Sequence, residues 1–482
     1  MSARPRPPAL MLAASLLATS CAMGPDYHRP KASVPPAFRF DTHPPADSFA
    51  DQGWWQIYQD PILDDLLKEA LANNLDVRIA AARIEEARAV LGATNLQFLP
   101  KVSVSADAQR GRVPFFQVPA GTPPISNVFS VNANLSYEID FWGKYRRMAE
   151  ASRAQLLSSQ YARDDVAAGL VAGVATAYFT LQTLDEQLAI TRRTVDTRRK
   201  FVQLTQAQHE RGTVSGLDVA TAQAQLAIAE ANIPDLQRQI GQAEDQLSVL
   251  LGRNPDAVLR NADGELRRTS ETAPNPVPPP GLPSSLLERR PDIREAEENL
   301  VAANAQIGVA RANLFPSISL TAAAGAASTA LGDITRATSR TWSLAGGLLQ
   351  PLLDPQRSWY QVQLADAQKR EAVLRYQKSL QNAFQEVSDA LIAREKFAEF
   401  QVAQEALVGA QRKANTIALA RYRVGYSSYF NVIDADRDLF NAELSLSSAH
   451  LNTLLAMVQL YRALGGGWQT APGLADSPPP AQ

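Results

Sequence analysis

The sequence predicts an α+β membrane protein with an internal tandem repeat. Strands suited to a shared β-barrel accompany helical hairpins of coiled-coil type. Three observations carry that prediction. First, the chain repeats its own plan. Leu99-Pro100-Lys101 is echoed by Phe315-Pro316-Ser317, Arg211-Gly212 with Leu217-Asp218-Val219 by Val424-Gly425 with Phe430-Asn431-Val432, and Leu251-Gly252 by Leu464-Gly465, at offsets of 216, 213 and 213 residues. Second, each copy carries segments that alternate apolar and polar residues. Third, each copy then has a long proline-free stretch, 144–211 and 356–424.

The chain opens with a segment of the secretory type, residues 1–20. Arg4 and Arg6 precede an apolar run from Ala9 to Ala18, followed by the small residues Thr19 and Ser20. The run is too short to span a bilayer as a helix. Leu17-Ala18-Thr19-Ser20-Cys21 resembles a bacterial lipobox, with the leucine one place earlier than usual. Cys21 is therefore expected to carry covalent lipid and to begin a lipidated segment, 21–59. An ordinary signal with an incidental cysteine is the alternative. The single cysteine also excludes an intrachain disulfide framework. No further stretch reads as a transmembrane helix, so any membrane crossing is expected to use strands.

The first repeat, 60–251, starts with a helix whose opening acids, Asp60, Asp64 and Asp65, suit a helix N-terminus. Strands are expected at 102–110 and 128–140. Val102, Val104, Ala106 and Ala108 alternate with Ser103, Ser105, Asp107 and Gln109; Phe129, Val131, Ala133, Leu135, Tyr137 and Ile139 alternate with polar residues. Period two puts each set on its own face. A transmembrane barrel strand needs about 9–11 such residues, apolar outward and polar toward a wet lumen. A soluble antiparallel sheet with one wet face shows the same alternation. Four strands per chain close no barrel, and open edges are not tolerated in hydrocarbon, so membrane strands require several chains to share one barrel.

Helices are expected at 144–211 and 217–251. The first is roughly 100 Å long if unbroken. Val166, Leu170, Val174, Ala177, Leu181, Leu184 and Leu188 form its coiled-coil seam. The seam of the second is Ile233, Leu236, Ile240, Ala243, Leu247 and Leu250, with Pro234 expected to disturb it locally. Residues 252–284 read as a Pro-rich linker. The second repeat, 285–466, follows the same order: a helix, strands at 317–325 and 341–350, and hairpin helices at 356–424 and 430–464. Residues 467–482 read as a disordered tail. Such hairpins need partners to bury their seams, and a ring of them would form a tube. A lipid-anchored periplasmic coiled-coil scaffold satisfies the helices equally.

Net charge is −2 with basic residues spread along the chain, which excludes the footprint of a nucleic-acid binder. The four histidines lie far apart and offer no metal-ligand spacing. Gly143-Lys144 lacks the rest of a phosphate-binding loop, and no nucleophile elbow occurs. An enzyme is not expected.

Trp54-Trp55 with Asp60-Pro61, then Leu71 and Asn74, resembles the opening of TolC-like outer-membrane efflux factors. The run Gly281-Leu282-Pro283-Ser284-Ser285-Leu286-Leu287-Glu288-Arg289-Arg290-Pro291-Asp292-Ile293 resembles the start of that family's second repeat. Leu314-Phe315-Pro316, Leu464-Gly465-Gly466-Gly467-Trp468 and Gly24-Pro25-Asp26-Tyr27 also match. The resemblance is to the lipoprotein branch (NodT-type) that serves multidrug efflux pumps. It implies a homotrimer, with a 12-stranded barrel in the outer membrane and a 12-helix coiled-coil periplasmic tunnel. It also implies a periplasmic adaptor, an inner-membrane pump that is proton-driven, and passive conduction of drugs or other small molecules. Adaptor docking would fall at the hairpin tips, Arg211, Gly212, Gly216 and Asp218 in one and Val424 and Gly425 in the other.

In the same branch an apolar residue, an aspartate and an arginine constrict the tunnel just past the second hairpin. Phe430, Asp434 and Arg437 occupy the matching positions, on one helix face. The family usually has an aliphatic residue where Phe430 stands. Asp436 and Asp438 flank the set. The alternative is an intrahelical Asp434–Arg437 pair on a solvated face, worth about 0.3–0.5 kcal/mol.

Overall fold

The computed structural model describes residues 22–31, 34–36, 38, 53–54, 57, 60–112, 125–255, 283–350 and 355–468. Cys21, residues 1–20, most of the 252–284 linker and the tail beyond Trp468 lie outside the described residues. The elements are α1 (Pro61–Asn73), α2 (Leu75–Asn95), β1 (Lys101–Arg112), β2 (Ile125–Ile139), α3 (Lys144–Glu210), α4 (Gly216–Leu250), α5 (Pro291–Ala312), β3 (Ser317–Ser328), β4 (Arg340–Leu349), α6 (Pro355–Arg423) and α7 (Tyr429–Ala463). Strand pair, long helix and return helix thus recur in order. The return helices are both 35 residues and the long ones 67 and 69. The chain divides into two compact units. One comprises residues 1–31, 83–159 and 295–377, the other 32–82, 160–294 and 378–482.

The first unit holds the sheet, antiparallel throughout in the order β1-β2-β3-β4. Its register lines up the alternation predicted strand by strand. Val102, Leu135, Ala322 and Leu344 form one cross-strand row, and Val104, Ala133, Ala324 and Trp342 the next of the same face. Ser103, Asn134, Ala323 and Ser343 form a row of the opposite face. A soluble sheet would bury its apolar face, yet Val104 is 75% exposed and Trp342 82%. Nothing among the described residues covers the apolar rows of β1 and β4. That is the surface expected of strands whose solvent is lipid on one side and water on the other.

Residues 22–31 lie as a strap against this unit. Met23 N–H donates to the Trp142 carbonyl (3.0 Å), and Arg147 donates to the Met23 carbonyl (3.1 Å) and to Asp26 (2.8 Å). Asn304 donates to the Pro25 carbonyl (2.8 Å), while Tyr27 and Arg29 both donate to Glu297. The Arg147 hydrogen bond and charge hold the Asp26 carboxyl below its ordinary pKa. Gly24 has φ +99°, and a Cβ there would stand 2.5 Å from the Gly308 Cα. Only glycine fits that backbone-to-backbone approach. Gly24→Val is therefore expected to release the strap. Limited proteolysis would show cleavage of residues 22–31 in the variant under conditions that spare the parent.

The second unit holds the hairpin ends of the long helices with both return helices. Six of the seven α3 seam residues are buried, Val166 being half-buried. A stretch of α3 is long and apolar enough to cross a membrane by length and composition, contrary to the reading that no such stretch exists. Because 56% of it is buried inside the protein, its apolarity serves helix packing. Pro234 does not interrupt α4, which is continuous through it. The ring removes one hydrogen bond, to the Glu230 carbonyl, at an exposed position where water replaces it.

Both return helices end alike. Gly252 and Gly465 take φ +76° and +86°; Arg253 N–H returns to the Ser248 carbonyl and Gly466 N–H to the Tyr461 carbonyl. This is the Schellman arrangement. The end of α4 is held by Asn74, whose side-chain amide donates to the Leu250 carbonyl (3.0 Å). The same Asn74 caps α2 by accepting from Asp76 and Val77 N–H. At the corresponding place in the second copy stands Arg290, donating to the Ala463 carbonyl (2.9 Å).

Candidate aperture and hairpin tips

The two tips are the same device. Gly212 and Gly425 adopt φ +75° and +79°, and the N–H groups of Thr213 and Tyr426 reach back to the Gln208 and Arg421 carbonyls at 3.0 and 2.8 Å. Each closes its long helix with a left-handed residue, which explains the glycine. Gly216 needs no such freedom; it begins α4. Asp218 is committed to a capping box, its carboxylate accepting from Ser215 N–H (3.0 Å) while Ser215 Oγ accepts from Asp218 N–H (3.2 Å). Arg211 and Val424 are exposed, and Tyr426 is 79% exposed. Among the described residues, tip two therefore leaves the Val424 and Tyr426 side chains exposed.

Of the three aperture candidates, Asp434 and Arg437 are brought together as an ion pair one helical turn apart, and Arg437 also reaches Asp438 (3.0 Å). Phe430 stands one turn earlier and is 68% exposed. Within one chain this is the intrahelical arrangement on a solvated face. The copy-one counterparts are Leu217, Thr221 and Ala224, all uncharged. The charged set thus belongs to the second copy alone.

Sequence reading missed the contacts that join the hairpins beside this set. Phe201 of α3 stacks on Tyr429 of α7, centroids 5.0 Å apart, and Tyr422 packs on both. Tyr422 donates to Gln208 Oε1 at 2.7 Å. Burial pushes the Tyr429 phenol up from its ordinary pKa, so it stays neutral. Arg198 of α3 donates from Nε to Asp436 of α7 (2.7 Å) and from Nη1 to the Gln225 carbonyl of α4 (2.8 Å). Its guanidinium also covers the Phe440 ring at 5.3 Å. These partners are more than two hundred residues apart in several cases, beyond the reach of local pattern.

The family model for outer membrane efflux proteins matches residues 66–253 and again 282–466, one match for each copy. The chain belongs to that family. The toluene efflux pump outer membrane protein TtgC of Pseudomonas putida is 37% identical over 463 residues, covering 95% of this chain and 94% of TtgC. The probable outer membrane lipoprotein SilC of Salmonella typhimurium is 32% identical, covering 94% and 97%. Among solved structures, the outer-membrane channel OprN superposes with a TM-score of 0.86 at 29% identity, covering 93% of this chain and all of that one. This efflux protein therefore has the TolC-like fold and resides in the outer membrane as a channel component of efflux. The exposed apolar rows of its sheet have their explanation in the bilayer, and the soluble-scaffold alternative falls.

Proposed function

We propose that this efflux protein is the passive outer-membrane duct of a tripartite system. Three copies close a 12-stranded barrel and a 12-helix periplasmic tunnel. The observation that carries this reading is the four-stranded sheet, with its apolar rows exposed and, among the described residues, no strand paired to the outer edge of β1 or of β4. Neighbouring copies supply the missing strand pairings, since hydrocarbon tolerates no open edge. Lipid on Cys21 anchors the N-terminus. A periplasmic adaptor docks at the tips, around Arg211, Gly212, Gly216, Asp218, Val424 and Gly425. A proton-driven inner-membrane pump supplies the energy and delivers drugs or other small molecules.

The aperture is the ring of Phe430, Asp434 and Arg437. An exposed pair within one chain contributes little to that chain's stability. Repeated around a narrow threefold passage, the same charges set an electrostatic barrier and the phenylalanines a steric one. Asp434→Ala is expected to weaken closure and raise single-channel conductance in planar bilayers. Unchanged conductance would remove Asp434 from the gate. Native mass in detergent tests the assembly, with a trimer expected and a monomer overturning it.

A further inference from the structure

The apolar face of the sheet changes character at one end. Beyond the row of Val104 and Trp342 comes a row of Ala106, Val131, Ala326 and Arg340. The same face then continues on β1 with Ala108, Arg110 and Arg112. Among the described residues, Arg110, Arg112 and Arg340 are the only charged side chains of this face. Lys101, Asp107 and Glu138 fall on the opposite face. All three arginines are exposed, and among the described residues none has an ion-pair partner. Arg336, in the turn between β3 and β4, is by contrast neutralised by Asp333 at 3.0 Å.

Their placement is selective. All three stand on the edge strands, and none on β2 or β3. They lie at the sheet end that leads into no helix, since β1 follows α2 at Lys101 and β4 runs on toward α6 from Leu349. From Val102 to Arg110 the strand runs about 26 Å, close to the ~25 Å apolar band of an outer-membrane barrel. Arginines scattered around the barrel would simply snorkel to the headgroups. These are gathered where one copy meets the next. β4 has ten residues and β1 twelve. For all of β4 to find partners along a neighbouring β1, Arg340 must stand opposite position 110, 111 or 112. Residues paired across strands share a face, which excludes Gly111. Arg340 therefore meets Arg110 or Arg112 of the partner subunit. Like charges directly opposite repel, so the seam calls for an anion. A phosphate accepts from several guanidiniums at once, each offering a fork of donors.

We infer that each seam between copies binds the phosphate of a phosphorylated glycolipid of the outer leaflet, held by Arg340 of one copy with Arg110 and Arg112 of the next. This rests on the shared-barrel reading above. The acyl chains of the lipid lie along the apolar rows below, beside Trp342. The phosphate neutralises the seam, so the lipid takes part in holding two edge strands together.

The test adds lipid A to the full-length oligomer purified in detergent and counts bound lipid by native mass spectrometry. A trimer carrying one lipid A for each chain is expected. Arg340→Gln should weaken binding about tenfold, the scale of one charge-assisted hydrogen bond, and R110Q/R112Q at least as much. The triple variant R110K/R112K/R340K keeps the charge without the fork and should fall between the parent and Arg340→Gln. Dephosphorylated lipid A should not bind the parent at the same concentration, which tests the phosphate without any substitution and decides the matter even where a variant loses the trimer. Equal binding of lipid A to parent and glutamine variants, or equal binding of the dephosphorylated lipid, overturns the site. Displacement by inorganic phosphate, or phosphatidylglycerol binding as tightly, overturns the assignment to the outer-leaflet lipid. A trimer that takes up no lipid A refutes the inference and leaves the barrel standing, whereas a monomer refutes the barrel reading itself.

Discussion

Arg290→Met is expected to destabilise the protein by about 1.5–3 kcal/mol, the scale of losing hydrogen bonds made by a buried charged group whose partners are partly solvated. Arg290 is 7% exposed and uses every face of its guanidinium. It donates to Asp292 from Nε and Nη2 (3.0 and 2.7 Å), to Glu386 (2.7 Å) and to the Ala463 carbonyl (2.9 Å). Methionine fills much of the volume and none of the bonds. Asp292, Glu386 and nearby Asp165 are then left as a carboxylate cluster, with Arg462 the remaining cation near Asp165. The Asp165 carboxyl is already raised in pKa, by burial first and by Asp292 next. A thermal melt followed by circular dichroism in detergent should show a lower midpoint for Arg290→Met. Arg290→Lys, which keeps charge but loses the fork, should fall between. Adding Glu386→Gln to Arg290→Met should recover part of the loss, because it removes one stranded charge. An unchanged midpoint would show the cluster to be effectively solvated.

The second large effect separates two glycines that look interchangeable in sequence. Gly212 and Gly252 both follow a helix, with φ +75° and +76°. An alanine at Gly212 meets nothing within 4 Å, so only the left-handed backbone resists it, at about 1–2 kcal/mol. At Gly252 the new Cβ would lie 2.5 Å from the Asn73 carbonyl oxygen and 2.7 Å from its carbon. Backbone there must move, and Asn74 and the Arg253–Glu69 pair resist the movement. Gly252→Ala should cost roughly 2–5 kcal/mol, strain and overpacking together. The two variants melted side by side decide the matter, and equal midpoints would refute it.

Strands and hairpins were legible in sequence for definite reasons. Alternation survives in β1 and β2 because each face meets a different medium, so every second residue reports its side. In β3 and β4 alanine and glycine blur the signal, and register against β2 restores it, as with Ala322 between Leu135 and Leu344. Helix ends were legible through glycines that take positive φ. Pro234 lies inside a continuous α4, its disturbance confined to one missing backbone hydrogen bond at an exposed position. The site was half legible. Asp434 and Arg437 are neighbours along one helix, whereas Arg198 and Asp436 meet only after both hairpins have formed. Comparing the copies would have flagged Arg198 and Asp436, as charges standing opposite Gln411 and Gln223 at the same offset, but not that the two pair.

The open edges at β1 and β4 also govern how this protein comes into being. A newly exported chain carries rows of backbone N–H and C=O groups that its own sequence cannot satisfy. Water can hydrate those groups but hydrocarbon cannot, so the strands cannot enter the bilayer until sibling chains pair their edges. Recognition of siblings and insertion then become a single event. Maturation is consequently more than first order in newly made chains, and its yield depends on the rate of synthesis as well as on the amount finally made.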